Sequence, residues 1–208
     1  DDLSEYMGDL ILSDDTIPEQ QPNKRPLTPI RPRPALMYNG HVYCPVEKNL
    51  AQNTLQITIR SPHSETDLKT IISLTNTAFA AYDVSSMEFW STPERFVSAM
   101  NEGGAIVAVL QDGTVVGHVI YSIEGEGSEV HITNVAVSPS HRRKGIGRVM
   151  LEHVLDYLRA FGIWRATLHV AVDNKGAMAL YKGVGFTIDH FSKDYYEPGD
   201  AYCLVYYY

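Results

Sequence analysis

Between Val130 and Val172 the chain passes from an apolar strand through a short basic loop with two glycines into a long amphipathic helix, and then into a second strand. No other stretch restricts the fold as strongly. Val130–Val137 reads as a strand that Pro139 ends, because proline lacks the ladder donor and constrains its neighbour. A helix is predicted from about Gly145 to Phe161. Val149, Met150, Val154, Leu155, Leu158 and Phe161 form its apolar face, and Gly162 is its C-cap. Thr167–Val172 is the following strand, and Asp173 or Asn174 caps a short helix that ends near Gly185.

The remaining elements arrange themselves around this unit. Leu55, Ile57 and Ile59 alternate as a strand. Ser64-Glu65-Thr66-Asp67 resembles a capping box, and Leu68, Ile71, Ile72 and Thr75 follow at helical spacing to Phe79. Asp83–Ser91 reads as a loop or short helix, and Thr92-Pro93-Glu94 opens a helix to about Met100. Ala105–Leu110 and Thr114–Ser122 form a hairpin about Asp112-Gly113, and Gly125–Ser128 is a loop. Phe186–Tyr208 reads as two strands joined near Tyr195–Asp200. The order is β-α-α-β-β-β-α-β-α-β-β, with no internal repeat. Mixed order with a central hairpin indicates an α/β (α+β) fold, a sheet covered by helices.

Residues 1–53 differ in kind. They hold seven of the chain's eleven prolines, and Pro22–Pro34 cannot sustain a helix. We expect a flexible N-terminal extension here, extended and solvated over Pro22–Pro34 and apolar enough over Met37–Val46 to pack on the domain, and one folded domain over 54–208, which suits a chain of 208 residues. Lys24, Arg25, Arg31 and Arg33 leave two readings of the extension open, a plain tail or an arm that docks on a partner or on ribosomal RNA. The formal net charge of −8 argues against DNA as the main ligand. No apolar run has the length of a membrane span, and the acidic start lacks the pattern of a secretory signal, so a cytoplasmic setting is expected. Neither Cys44 nor Cys203 sits in a metal-type spacing. Both read as reduced thiols, and the sequence places no histidine beside either.

The loop Arg142-Arg143-Lys144-Gly145-Ile146-Gly147 has the chemistry of an anion site. N–H groups at a helix start are unpaired, and the helix dipole adds partial positive charge there. Glycine removes the Cβ that would hold a pyrophosphate away, and Arg148 adds to the charge. The pattern is not a Walker loop, since no Gly-Lys-Ser/Thr follows. It is not a Rossmann loop either, since Met150 stands at the third glycine position.

Arg142-x-x-Gly145-x-Gly147 resembles the pyrophosphate motif of the GNAT acetyltransferases. Asn174-x-x-Ala177-x-x-Leu180-Tyr181 followed by Gly185-Phe186 resembles a second segment of that family. The resemblance covers roughly Leu55–Tyr208 and implies the GNAT fold, a mixed central sheet flanked by helices, with acetyl-CoA as co-substrate and no metal. His131–Val137 with Ser140–Arg143, together with Leu168-His169-Val170 and the late tyrosines, is similar to protein N-terminal acetyltransferases of the NatA catalytic-subunit and RimI type.

That likeness implies roles. Val135, Ala136 and Val137 would lie along the pantetheine arm, with Arg142–Arg148 at the pyrophosphate and Asn174 and Tyr181 completing the cofactor site. Tyr181 would protonate the departing sulfur. His169, with His131 as a further candidate, would accept or relay the amine proton. Asp83, Glu88, Tyr195 and Tyr196 would contact the acceptor. An α-amino group has a pKa near 8 and a lysine amine near 10.4, so at pH 7 deprotonation costs roughly 1 against about 4–5 kcal/mol. A histidine site suits the easier amine. The reading is therefore a peptide or protein N-terminal acetyltransferase, with an auxiliary subunit or ribosome contact as its partners. The alternatives are a small-molecule N-acetyltransferase acting on a polyamine, amino acid or drug, and a non-catalytic acetyl-CoA-binding module.

Overall fold

The computed structural model describes residues 55–80, 103–197 and 199–208, together with the backbone of two short strands, β1 (Met37–Tyr38) and β2 (His41–Val42), which pair antiparallel. The expectations for the rest of the extension, for the loop with Asp83 and Glu88, and for the helix at 92–100 lie outside the described residues. All described elements belong to one unit, Pro32–Tyr208.

The main sheet has seven strands: β3 (Ile57–Arg60), β4 (Gly103–Leu110), β5 (Val115–Glu124), β6 (Glu129–Val137), β7 (Arg165–Ala171), β8 (Thr187–Tyr196) and β9 (Gly199–Tyr207). Their spatial order is β3-β4-β5-β6-β7-β9-β8. Every pair is antiparallel except β6–β7. Among the described residues three α-helices flank the sheet: α1 (Glu65–Ala78), α2 (Ile146–Arg159) and α3 (Lys175–Val184). Parallel pairing of β6 and β7 requires a crossover, which α2 supplies.

Both sheet faces are covered, and β4 shows it residue by residue. Ile106 and Ala108 join a core with Met150, Leu151, Val154, Leu155 and Leu158 of α2. Ala105, Val107 and Val109 pack with Ile71 of α1. A continuous apolar strand is what two covered faces demand. The β4–β5 hairpin turns at Gly113 (φ +88), where Asp112 Oδ1 accepts from Thr114 N at 2.9 Å.

The start of α1 differs in one detail from a capping box. Ser64 Oγ accepts from Asp67 N as expected. The Asp67 carboxylate, however, accepts from His63 N, one residue earlier than the reciprocal bond would, at 2.9 Å, and from Arg60 at 2.7 and 3.0 Å. Burial alone would raise this carboxyl. The bonds and charges of Arg60 and His63 outweigh it and bring the pKa down to about 2. The folded value is depressed, so this stabilisation is complete above the unfolded value of 3.8 and is lost as pH falls through about 2. Asp67→Ala is expected to cost about 2–3 kcal/mol in urea unfolding at neutral pH. Asp67→Asn should remove this part of the acid dependence.

Candidate active site

The site begins at an irregularity in β6. A register shift sets Ile132 opposite Tyr121 but Asn134 opposite Ile120, so Thr133 is an extra residue in its strand. Its hydroxyl donates to the Ile120 carbonyl at 3.1 Å. One inserted residue reverses which face each later side chain takes. Val130 and Ile132 therefore sit in the α2-side core, and beyond the bulge Val135 and Val137 pack there too. Asn134 turns the other way and meets His118 Nε2 at 2.8 Å, which in turn lies 3.3 Å from Thr75 of α1. This fully buried trio ties α1 to the bulge. Burial holds the His118 pKa down at about 4, against a raising contribution from Asn134.

The last rung between β6 and β7 is Ile132↔Leu168. Past it β7 stays with β9 while β6 stays with β5, so the two strands diverge over Thr133–Val137. A cavity of about 510 Å³ opens there. Its walls include Val135, Ala136 and Val137 of β6, the start of α2 and one side of α3, and Ala78 of α1 reaches it from the opposite face. The divergence thus makes a passage through the sheet.

The start of α2 gives this cavity an anion-binding end. Gly145 (φ +85) is the N-cap, and no side chain caps the helix. The first N–H groups are left to whatever fills the cavity. Arg142, Arg143, Gly145, Ile146, Gly147 and Arg148 all line it. Arg143 holds a positive φ of 63, a conformation that carries strain for a residue with a side chain. Arg142 Nε donates to the Val137 carbonyl at 3.1 Å, and Arg148 pairs with Glu152 at 2.7 Å. Lys144, expected with them, is exposed and is not in the cavity wall. A Cβ on Gly147 would come within 3.1 Å of Leu180 and 3.6 Å of Val137, so the bare backbone keeps this end open. Uncapped N–H groups, arginines and a glycine floor suit a pyrophosphate.

On α3, Asn174 is the N-cap and accepts from Ala177 N at 3.0 Å. Tyr181 is buried in the cavity wall. Its burial pushes the phenol pKa well above its usual value, so the proton is retained at any working pH.

The histidines lie on the sheet face away from α2. His131 and Thr167 are partners across β6 and β7, and His131 Nδ1 sits 2.9 Å from Thr167 Oγ1. The His169 ring centroid is 5.3 Å from that of His131. Tyr195 stacks on His169 with centroids 4.0 Å apart and planes 12° from parallel. Burial, then the neighbouring charges of His131 and His190, lowers the His169 pKa to about 4, against a raising contribution from Glu124. Burial lowers His131 as well. Both rings are therefore neutral near pH 7. Tyr196, expected beside Tyr195, turns into a small core with Ala171 and Ala201, and its hydroxyl donates to the His169 carbonyl at 3.4 Å.

Sequence reasoning assigned no site role to Ala78, His141, Gly176, Ala177, Ala179 and Leu180, which also line the cavity. Helical spacing from Asn174 could have found the α3 residues. It also missed that β9 brings Cys203 between two histidines, because pairing between distant strands leaves no local signal.

The sheet is thus split beside an uncapped helix start, with arginines and a buried tyrosine in the wall of the opening. Residues 70–186 match the family model described as Acetyltransferase (GNAT) family, and the chain belongs to that family, whose members use acetyl-CoA. It is 31% identical over 138 residues to the ribosomal protein bS18-alanine N-acetyltransferase of Escherichia coli K12, covering 64% of this chain and 91% of that one. It superposes on the crystal structure of Ard1 from Thermoplasma volcanium with a TM-score of 0.62 at 25% identity, covering 73% of this chain and 97% of the other. A shorter match, 36% identity over 80 residues, relates it to the streptothricin acetyltransferase of Streptomyces lavendulae, covering 38% of this chain and 42% of that one. Among the described residues no helix is long and apolar enough to cross a membrane.

Proposed function

We propose that this N-acetyltransferase acts on the α-amino group of a peptide or protein N-terminus, in a cytoplasmic setting. The observation that carries the reading is Tyr195 of the β8–β9 hairpin, which stacks on His169 on the sheet face away from α2, next to the last rung before the strands part. A tyrosine held against a neutral imidazole sets a hydrogen-bonding group beside a proton acceptor, a pairing suited to a chain end. The bS18-alanine acetyltransferase likeness supports the same acceptor class.

In this reading acetyl-CoA supplies a thioester as the acyl donor. Arg142, Arg143 and Arg148 with the N–H groups of Gly145–Gly147 hold its phosphates, and Asn174 shapes the start of α3 beside them. The unpaired stretch Val135–Val137 lies along the arm, with a backbone N–H near Val135 donating to the carbonyl oxygen as negative charge develops. The amine nitrogen attacks the carbonyl carbon, and the carbon–sulfur bond breaks. His169 takes the amine proton directly or through water, with His131 beside it, and Tyr181 gives its proton to the sulfur. Asp83 and Glu88 remain assigned to the acceptor side, with Tyr196 supporting Tyr195 from beneath. Residues 1–53 are read as an extension of a catalytic domain over 54–208, available to an auxiliary subunit or the ribosome.

The pH profile tests the base. With His169 neutral above about pH 4, kcat/KM should rise with pH along the amine's own ionisation near 8 and show no inflection between about 6 and 7. An inflection near 6.5 would assign the proton transfer to an unshifted histidine elsewhere.

The acceptor is tested by initial-rate release of free CoA across peptides varied at their first two residues, alongside N-terminally blocked lysine peptides and polyamines. Turnover confined to free N-termini is expected. Turnover on small amines alone would replace this reading with the second one, which the streptothricin acetyltransferase match favours.

A further inference from the structure

Three adjacent strands place a histidine, a cysteine and a histidine on a single rung. His169 of β7 pairs with Cys203 of β9, and Cys203 pairs with His190 of β8. Residues directly opposite on neighbouring strands share a face. The two long imidazoles therefore flank the short thiol, and the three ligand atoms lie within 4.8 Å of one another. We propose that His169, Cys203 and His190 form a zinc-binding site, and that zinc held there blocks acetyl transfer by occupying His169.

The surroundings fit that purpose. His169 Nδ1 is buried without a hydrogen-bond partner, an arrangement that leaves a polar atom uncompensated until something binds it. Tyr195 covers the face of the His169 ring, but a metal approaches in the ring plane, so the stack leaves the lone pair open. Asp189 Oδ2 lies 2.9 Å from His190 Nδ1. A carboxylate accepting from Nδ1–H fixes the tautomer that presents Nε2 to a metal. Cys203 is buried and His190 exposed, which gives the ion a route from solvent. Two imidazoles and one thiolate are a zinc donor set, and water completes the tetrahedron. Small side-chain adjustments bring ligand atoms from this spacing onto one ion. Binding forms a Zn–S bond, and the Cys203 thiol releases its proton to solvent.

The blocking effect rests on the role given to His169 above, whereas the site does not, and the experiment separates them. The full-length protein is titrated with Co²⁺ and followed by absorbance, then competed with Zn²⁺. One equivalent should produce a thiolate-to-cobalt charge-transfer band in the near ultraviolet and intense visible bands of a tetrahedral centre. Cys203→Ser should abolish the charge-transfer band. His190→Ala should weaken cobalt affinity at least about tenfold while leaving metal-free acetyl transfer unchanged. Stoichiometric zinc should inhibit transfer by the wild type and not by His190→Ala. The absence of a band, or a band unaltered in Cys203→Ser, overturns the site even if transfer proceeds normally. A band with zinc-insensitive transfer overturns the block and removes His169 from the chemistry. A band in a protein that acetylates no amine supports the site and overturns the proposed function instead.

Discussion

Tyr181→Phe is expected to lower kcat by about 10²-fold or more, with KM for acetyl-CoA changing by less than about threefold, since a positioned general acid contributes roughly 10²–10⁴. The substitution removes one oxygen and leaves the ring that packs near Phe186 in the wall of the passage. Cofactor contacts and folding stability should therefore change little, and the effect should concentrate on the step in which the sulfur needs a proton. Burial keeps the phenol protonated, so the loss should be flat across pH 6–9. Single-turnover rates with wild-type and variant enzyme give the comparison. An unchanged kcat would assign the proton to another donor.

Gly147→Leu should raise the acetyl-CoA dissociation constant at least about tenfold, or about 1.4 kcal/mol. At this position a Cβ already crowds Leu180 and touches Val137, and the remainder of a leucine has the cavity to enter. Gly145 supplies the contrast. A Cβ there meets nothing within 4 Å, but φ is +85. Gly145→Ala should therefore cost roughly 1–2 kcal/mol of folding stability through strain, before any effect on the ligand. Calorimetric titration with acetyl-CoA and thermal unfolding of both variants separate space from strain. Unaltered affinity in Gly147→Leu would remove this loop from the cofactor site.

Much of this was legible beforehand because it depends on local rules. Apolar periodicity placed β6, α2 and β7, and Asp112-Gly113 placed the hairpin. Asn174 placed the start of α3, and the glycines with their arginines marked the end of the cavity that suits phosphate. Two grouped readings divide in the structure, and the cause is again local. Lys144 was grouped with its neighbours by charge, although the loop's turn at Arg143 and Gly145 leaves it in solvent. Tyr195 and Tyr196 were treated as a pair, although only Tyr195 stacks on His169 while Tyr196 is buried.

By itself, then, the sequence indicated the strands and helices of the described part of 54–208 and which loop carries the chemistry of an anion site, because spacing and residue type act within a few positions. Only the tertiary structure decided where the sheet opens and what meets at the opening. The bulge at Thr133 depends on pairing with β5, and the split depends on β7 staying with β9. The meeting of His169, Cys203 and His190 depends on the register of three strands. Register is set by long-range pairing and by the faces that must be buried, and no short stretch of chain contains that information.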